Sequence, residues 1–202
     1  MIGIIDYGMS NLHSVKNACD YLNLDSVVSK DVSVLSKCDK LILPGVGAFQ
    51  DCMNTLHSMG LYDFIVQQVK KDVPLLGICL GMQILFEKGY EVEETKGLGF
   101  IPGYVSYMDI DEKIPHMGWN QLHKTQDHLL LKYVHENEDV YFVHSYMAHV
   151  SDENLAAYSD YGSTKVTALV QNGNVMGCQF HPEKSGKVGQ NILRAFKEMV
   201  EC

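Results

Sequence analysis

Cys79 stands in Gly77-Ile78-Cys79-Leu80-Gly81, and His181-Pro182-Glu183 follows far downstream. A thiolate, a base and a group to orient the base are the minimum set for acyl transfer from an amide or an ester. Gly77 and Gly81 flank the cysteine at −2 and +2, where a sharp strand-to-helix turn needs small residues. This is the nucleophile-elbow pattern with sulfur in place of oxygen. A cysteine opening a helix sees the positive end of its dipole, which favours the thiolate. The Leu80 N–H, left without an intrahelical acceptor, can donate to an oxyanion. Taken alone, the motif also fits a glycine-flanked core cysteine.

His181 and Glu183 are expected in an extended segment. Period-2 geometry would put both side chains on one face of a strand, and Pro182 disfavours a helix there. Glu183 would then hold the imidazole and stabilise its cation. Taken singly, His-Pro-Glu fits a surface turn. A second glycine loop, Pro44-Gly45-Val46-Gly47-Ala48, lacks the ending of a P-loop and the spacing of a dinucleotide fingerprint. Its expected role is to supply a second N–H to the oxyanion site. His144 and His149 are read as structural or solvated. No cysteine or histidine spacing matches a zinc site, so no metal is expected.

These groups need a scaffold. Ile2–Ile5, Lys40–Leu43 and Pro74–Ile78 are short apolar runs suited to strands buried on both faces. A turn with Ser10 as N-cap precedes a helix from Leu12, with Val15, Ala18, Cys19 and Leu22 at helical spacing. Two helices are expected around Phe49–Met59 and Leu61–Lys71, and another from Cys79 through Phe86. Alternating strands and helices predict an α/β fold with a mostly parallel central sheet and helices on both faces. After Lys88 the texture changes to strands near Tyr104–Met108, Val140–Val143, Val166–Val170 and Asn174–Phe180, then a helix over Val188–Val200. These either extend the sheet or add a small antiparallel one. No linker interrupts residues 1–202, so one domain is expected.

Composition narrows the class. Apolar residues make up 46% and charged residues 20%, as in soluble globular proteins. Sixteen basic against 25 acidic residues give a net charge of −9, which argues against a nucleic-acid partner. No apolar run of about 18 residues suggests a membrane span, and the N-terminus lacks a signal peptide's basic flank. Six cysteines without a Cys-x-x-Cys pair predict reduced thiols in a cytoplasmic protein.

Taken together, Gly77-Ile78-Cys79-Leu80-Gly81-Met82-Gln83 and His181-Pro182-Glu183 resemble the class I (triad) glutamine amidotransferases. Pro44–Gly47, Pro115-His116-Met117-Gly118-Trp119-Asn120, Tyr141-Phe142-Val143-His144-Ser145-Tyr146 and Gln179–Ser185 narrow this to the glutaminase subunits of imidazole glycerol phosphate synthase. The resemblance runs from Asp6 to the final helix. It implies that Cys79 attacks the glutamine amide, with His181 as base and then acid, and Glu183 as its orienter. Leu80 and the Val46-Gly47 loop would be oxyanion donors. Gln83, Glu91 and the backbone at Ser145-Tyr146 would hold glutamine. A solvated acidic face is the other reading of the Glu91 stretch.

No cofactor is implied. The implied partner is a (βα)8-barrel cyclase in a heterodimer, faced by Asn11, Trp119 and Lys184. Trp119 also fits a partly buried core aromatic. The alternatives are a paralogous glutaminase serving a nucleotide-sugar amidating synthase, an inactive scaffold, and a hydrolase using the same triad.

Overall fold

The computed structural model describes residues 1–199. Val200, the expected end of the last helix, and Cys202 lie outside the described residues. The apolar runs form the parallel strands β1 (Ile2–Ile5), β3 (Lys40–Gly45) and β4 (Leu75–Cys79), and an unanticipated edge strand, β2 (Ser26–Ser29), adds parallel to β1. Between them run helices α1 (Leu12–Tyr21), α2 (Val32–Leu35), α3 (Phe49–Ser58) and α4 (Leu61–Val69).

The pleat explains the three layers. Ile2, Ile4, Ile42, Leu76 and Ile78 join one core cluster with Val15 and Cys19 of α1 and Ile192 and Phe196 of the C-terminal helix α6 (Gly186–Glu198). Ile5, Leu41, Leu43 and Leu75 join the other, with Leu56, Phe64 and Ile65 of α3 and α4. Strands apolar on both faces therefore carry helices on both faces.

The second half does both things its texture allowed. Strand β14 (Val175–Cys178) adds parallel to β4, and β13 (Thr164–Asn172), β12 (Leu155–Tyr161) and β9 (His123–Lys124) continue antiparallel. The eight strands run β2-β1-β3-β4-β14-β13-β12-β9. A four-stranded sheet, β11-β7-β5-β6, combines β5 (Phe86–Tyr90), β6 (Glu94–Lys96), β7 (Ile101–Tyr107) and β11 (Tyr146–His149). Strands β8 (His116–Gln121) and β10 (Asp139–His144) form an antiparallel ribbon.

Four local expectations are corrected. The N-cap of α1 is Asn11, whose Oδ1 accepts from Ser14 N, one residue beyond Ser10. Strand β3 runs through Pro44 and Gly45 because both still pair in register with Ile78 and Cys79 of β4. The helix after Cys79, α5, covers only Leu80–Gln83, and Phe86 already opens β5. It stops because the carbonyls of Ile84, Leu85 and Phe86 accept from Leu98, Phe100 and Gly99 instead. His181-Pro182-Glu183 is not a strand either. Pro182–Lys184 is a 3-10 turn, in which proline's fixed φ is as welcome as in an extended chain.

Candidate active site

Cys79 ends β4 with φ +55° and ψ −112°, a strained geometry for a residue with a Cβ. It sits at the carboxyl end of the parallel strands, where α/β sheets bind ligands. The flanking glycines permit this turn. A Cβ on Gly77 would lie 2.5 Å from the Gly81 carbonyl oxygen, and one on Gly81 only 1.8 Å from that of Leu43. Backbone cannot yield as a side-chain tip can. Gly81→Ala is therefore expected to destabilise the fold by about 3 kcal/mol or more. Urea unfolding checks it, and a loss under about 1 kcal/mol would contradict this packing.

The 3-10 turn brings the other two groups in. His181 is 3% exposed, and its Nδ1 lies 2.8 Å from Glu183 Oε1. The pairing expected from a strand face is made instead by the turn closing on itself, with Lys184 N donating to the His181 carbonyl. The turn is tied to β10: His181 N donates to the Tyr141 carbonyl at 2.9 Å, and Tyr141 N to Ser185 Oγ at 3.0 Å. His181 Nε2, the nitrogen left for a reacting partner, is buried and unpaired, as is Glu183 Oε2. Burial acts to lower the imidazole's pKa. Close contact with Cys79 and the bond to Glu183, and behind them the charges, outweigh it and push the ring up to about 9.

Around the sulfur, Gln179 Nε2 donates to Cys79 Sγ at 3.8 Å, and the thiol reaches the Val143 carbonyl at 4.0 Å. Gln179 is fully buried. Neither contact was anticipated from sequence, although both residues lie inside the quoted motifs. Gln83, Glu91 and Tyr146 converge with Phe49 and Val105 around a gap too small to hold a water molecule. Glu91 is half-buried, and its Oε2 accepts from Phe49 N at 2.6 Å at the start of α3. That sets it apart from the exposed Glu94, which pairs with Lys88.

Leu80 opens α5, so its N–H is one that a helix start leaves free. The Val46 N–H is not free: it donates to the Met9 carbonyl at 2.9 Å. In this state the loop does not aim that amide at an oxyanion. Gly47 follows at φ +110°, a conformation that suits glycine.

Trp119 is 55% exposed rather than a core aromatic, and it meets Tyr141 edge-on at 5.9 Å. Lys184 Nζ lies 5.9 Å from the same Tyr141 ring, so two of the three expected partner-facing residues share one surface. Asn11 caps α1, which packs beside the 3-10 turn. His144 is buried, while His149 is half-buried and bonded to Ser106 Oγ.

Residues 3–199 match the family model "Glutamine amidotransferase class-I". The chain is 50% identical to the imidazole glycerol phosphate synthase subunit HisH of Lactococcus lactis, over 98% of each chain. It is also 50% identical to the HisH subunit of Halalkalibacterium halodurans, over 100% of this chain and 97% of that one. A crystal structure described as a glutamine amidotransferase superposes with a TM-score of 0.77 at 18% identity, over 98% and 97% of the two chains.

Proposed function

The chain belongs to the class-I glutamine amidotransferase family, and we propose from that membership that Cys79, His181 and Glu183 are its catalytic triad. Its activity is that of a glutaminase, supplying ammonia for imidazole glycerol phosphate synthesis in histidine biosynthesis. Service to a nucleotide-sugar amidating synthase is not favoured, because relatives from Lactococcus lactis, Bacillus cereus and Halalkalibacterium halodurans, matched over full length at 45–50% identity, are imidazole glycerol phosphate synthase subunits.

The observation that carries the triad is the buried His181–Glu183 pair, whose imidazole titration is raised by its contact with the strained Cys79. The Cys79 thiolate attacks the side-chain carbonyl carbon of glutamine, and the Leu80 N–H takes up the developing oxyanion charge. The His181 imidazolium, kept protonated by its raised pKa, gives its proton to the departing nitrogen, and ammonia leaves. The neutral imidazole then takes a proton from water, which cleaves the glutamyl thioester to glutamate and frees the thiol. By family resemblance, Glu91, Gln83 and the Ser145-Tyr146 backbone would hold the glutamine head.

The chain works as a subunit of a complex. We read its partner as a (βα)8-barrel cyclase seated over Asn11, Trp119 and Lys184, and the whole chain as one domain. Five described cysteines are free thiols, which supports a cytoplasmic setting. Among the described residues no helix is long and apolar enough to cross a membrane.

With the Val46 N–H committed to Met9, the isolated chain has one fewer oxyanion donor, a loss worth about 10²–10³ in rate. Weak ammonia release alone and strong release with the cyclase are therefore expected. Equal turnover with and without the cyclase would sink that reading. A glutamine-mimicking electrophile should label Cys79 in mass spectra, and labelling elsewhere would overturn the mechanism.

A further inference from the structure

A continuous chain of hydrogen bonds runs from strand β8 to the nucleophile. His116 and His144 face each other across the β8–β10 ribbon, with His116 Nδ1 3.0 Å from His144 Nε2. His144 Nδ1 lies 2.8 Å from the Tyr146 carbonyl oxygen. A carbonyl only accepts, so His144 Nδ1 carries the hydrogen. Burial pushes both rings below their ordinary range, His144 to about 3, so both are neutral at physiological pH. His144 Nε2 is then bare and accepts from His116 Nδ1. His116 Nε2 lies 2.9 Å from Asn120 Oδ1, but a neutral His116 that donates from Nδ1 has no hydrogen for that oxygen, so the chain of hydrogen bonds starts at His116.

Beyond Tyr146 the chain continues. Gln83 Nε2 donates to the same carbonyl at 3.1 Å and to Gln179 Oε1 at 3.0 Å, and Gln179 Nε2 reaches Cys79 Sγ. Both amide hydrogens of Gln83 are thereby used within the protein, and its Oε1 is left to meet a ligand. The Tyr146 carbonyl has both lone pairs engaged, one by His144 and one by Gln83. His116 is fully buried, stacked between Phe142 at 4.6 Å and Tyr161 at 4.1 Å, and His144 is 6% exposed. Water cannot readily replace a bond lost from so buried a network.

We propose that His144, held in turn by His116, is a positioning residue for glutamine: it locks the Tyr146 carbonyl and, through it, the Gln83 side chain. The inference rests on reading Gln83 and Tyr146 as glutamine-binding groups. Neither histidine touches the reacting atoms. His116 lies on β8, the strand that also carries Trp119, so the relay starts on the element that presents that surface residue.

Ammonia release from the full chain with its cyclase, measured across glutamine concentrations, tests this. His144→Ala is expected to raise KM for glutamine about tenfold or more, with kcat within about threefold. His144→Asn places an amide donor where Nδ1 was and is expected to bring KM back to within about threefold of the unaltered chain. His116→Phe keeps the ring stack but loses the hydrogen bond to His144, and is expected to raise KM in the same sense by a smaller factor. Iodoacetamide should alkylate Cys79 at one rate in all of them.

An unchanged KM in His144→Ala or His116→Phe overturns the proposal. So does a His144→Asn variant no better than His144→Ala, or as defective as His116→Phe should the alanine variant fail to fold. Absence of ammonia release from the unaltered complex would instead sink the glutaminase reading beneath it.

Discussion

Replacing Cys79 with alanine is expected to lower ammonia release from glutamine by about 10⁴-fold or more, with or without the cyclase. The nucleophile forms the covalent intermediate, and the remaining groups contribute only binding and oxyanion stabilisation. Serine is expected to do little better. Its hydroxyl is far less acidic than a thiol, so little of the nucleophilic anion forms.

Stability should move in the opposite direction from activity. At φ +55° and ψ −112° a residue with a Cβ bears about 1–3 kcal/mol of strain, which glycine does not. Glycine's larger unfolded-state entropy costs about 0.4–1 kcal/mol against alanine. Strain is the larger quantity, so Cys79→Gly should be more stable than Cys79→Ala by about 1 kcal/mol while equally inactive. Denaturant titration of the two inactive variants isolates the backbone effect. An alanine variant as stable as the glycine variant would mean that the elbow is not strained.

Much of this site was legible because glycine spacing and triad chemistry are local signals. Gly77 and Gly81 marked a turn that only glycine permits, and the structure supplies the reason in the carbonyls of Gly81 and Leu43. The buried strands were legible for the same kind of reason, since Ile2–Ile5 and Leu75–Ile78 have no polar face to hide. What failed was set by partners distant in sequence. The helix after Cys79 ends at Gln83 because residues 98–100 take the carbonyls its next turn would use. No periodicity in Ile84-Leu85-Phe86 records that competition. His181 and Glu183 meet through a 3-10 turn fastened by Tyr141 and Ser185, although a spacing of two fits a strand equally well. The Val46 amide was beyond reach altogether: a glycine-rich loop allows several orientations, and the Met9 carbonyl selects one.

Glu183→Gln probes the pair most directly. The substitution keeps shape and volume but removes the carboxylate 2.8 Å from His181 Nδ1, at a site where both side chains are 4% exposed or less. An amide can also turn its NH2 toward the ring and favour the wrong tautomer. Loss of up to about 10⁴ in kcat is expected, the size seen when the orienting acid of a serine-protease triad becomes an amide.

The pH profile separates charge from geometry. In the unaltered chain His181 stays protonated up to about 9, so kcat/KM should fall on the alkaline side near that pH as the acid for the leaving ammonia is lost. Without the Glu183 charge the imidazolium is less favoured, and the limb should move to lower pH. Stability follows with a defined sign. The folded-state value lies above the ordinary 6.5, so the stabilisation is fully present below pH 6.5 and disappears as pH rises through about 9. The Tm gap between the unaltered chain and Glu183→Gln should be widest near pH 6 and narrow above pH 9. A limb that stays in place, or a gap that does not change with pH, would show that Glu183 holds the imidazole by shape alone.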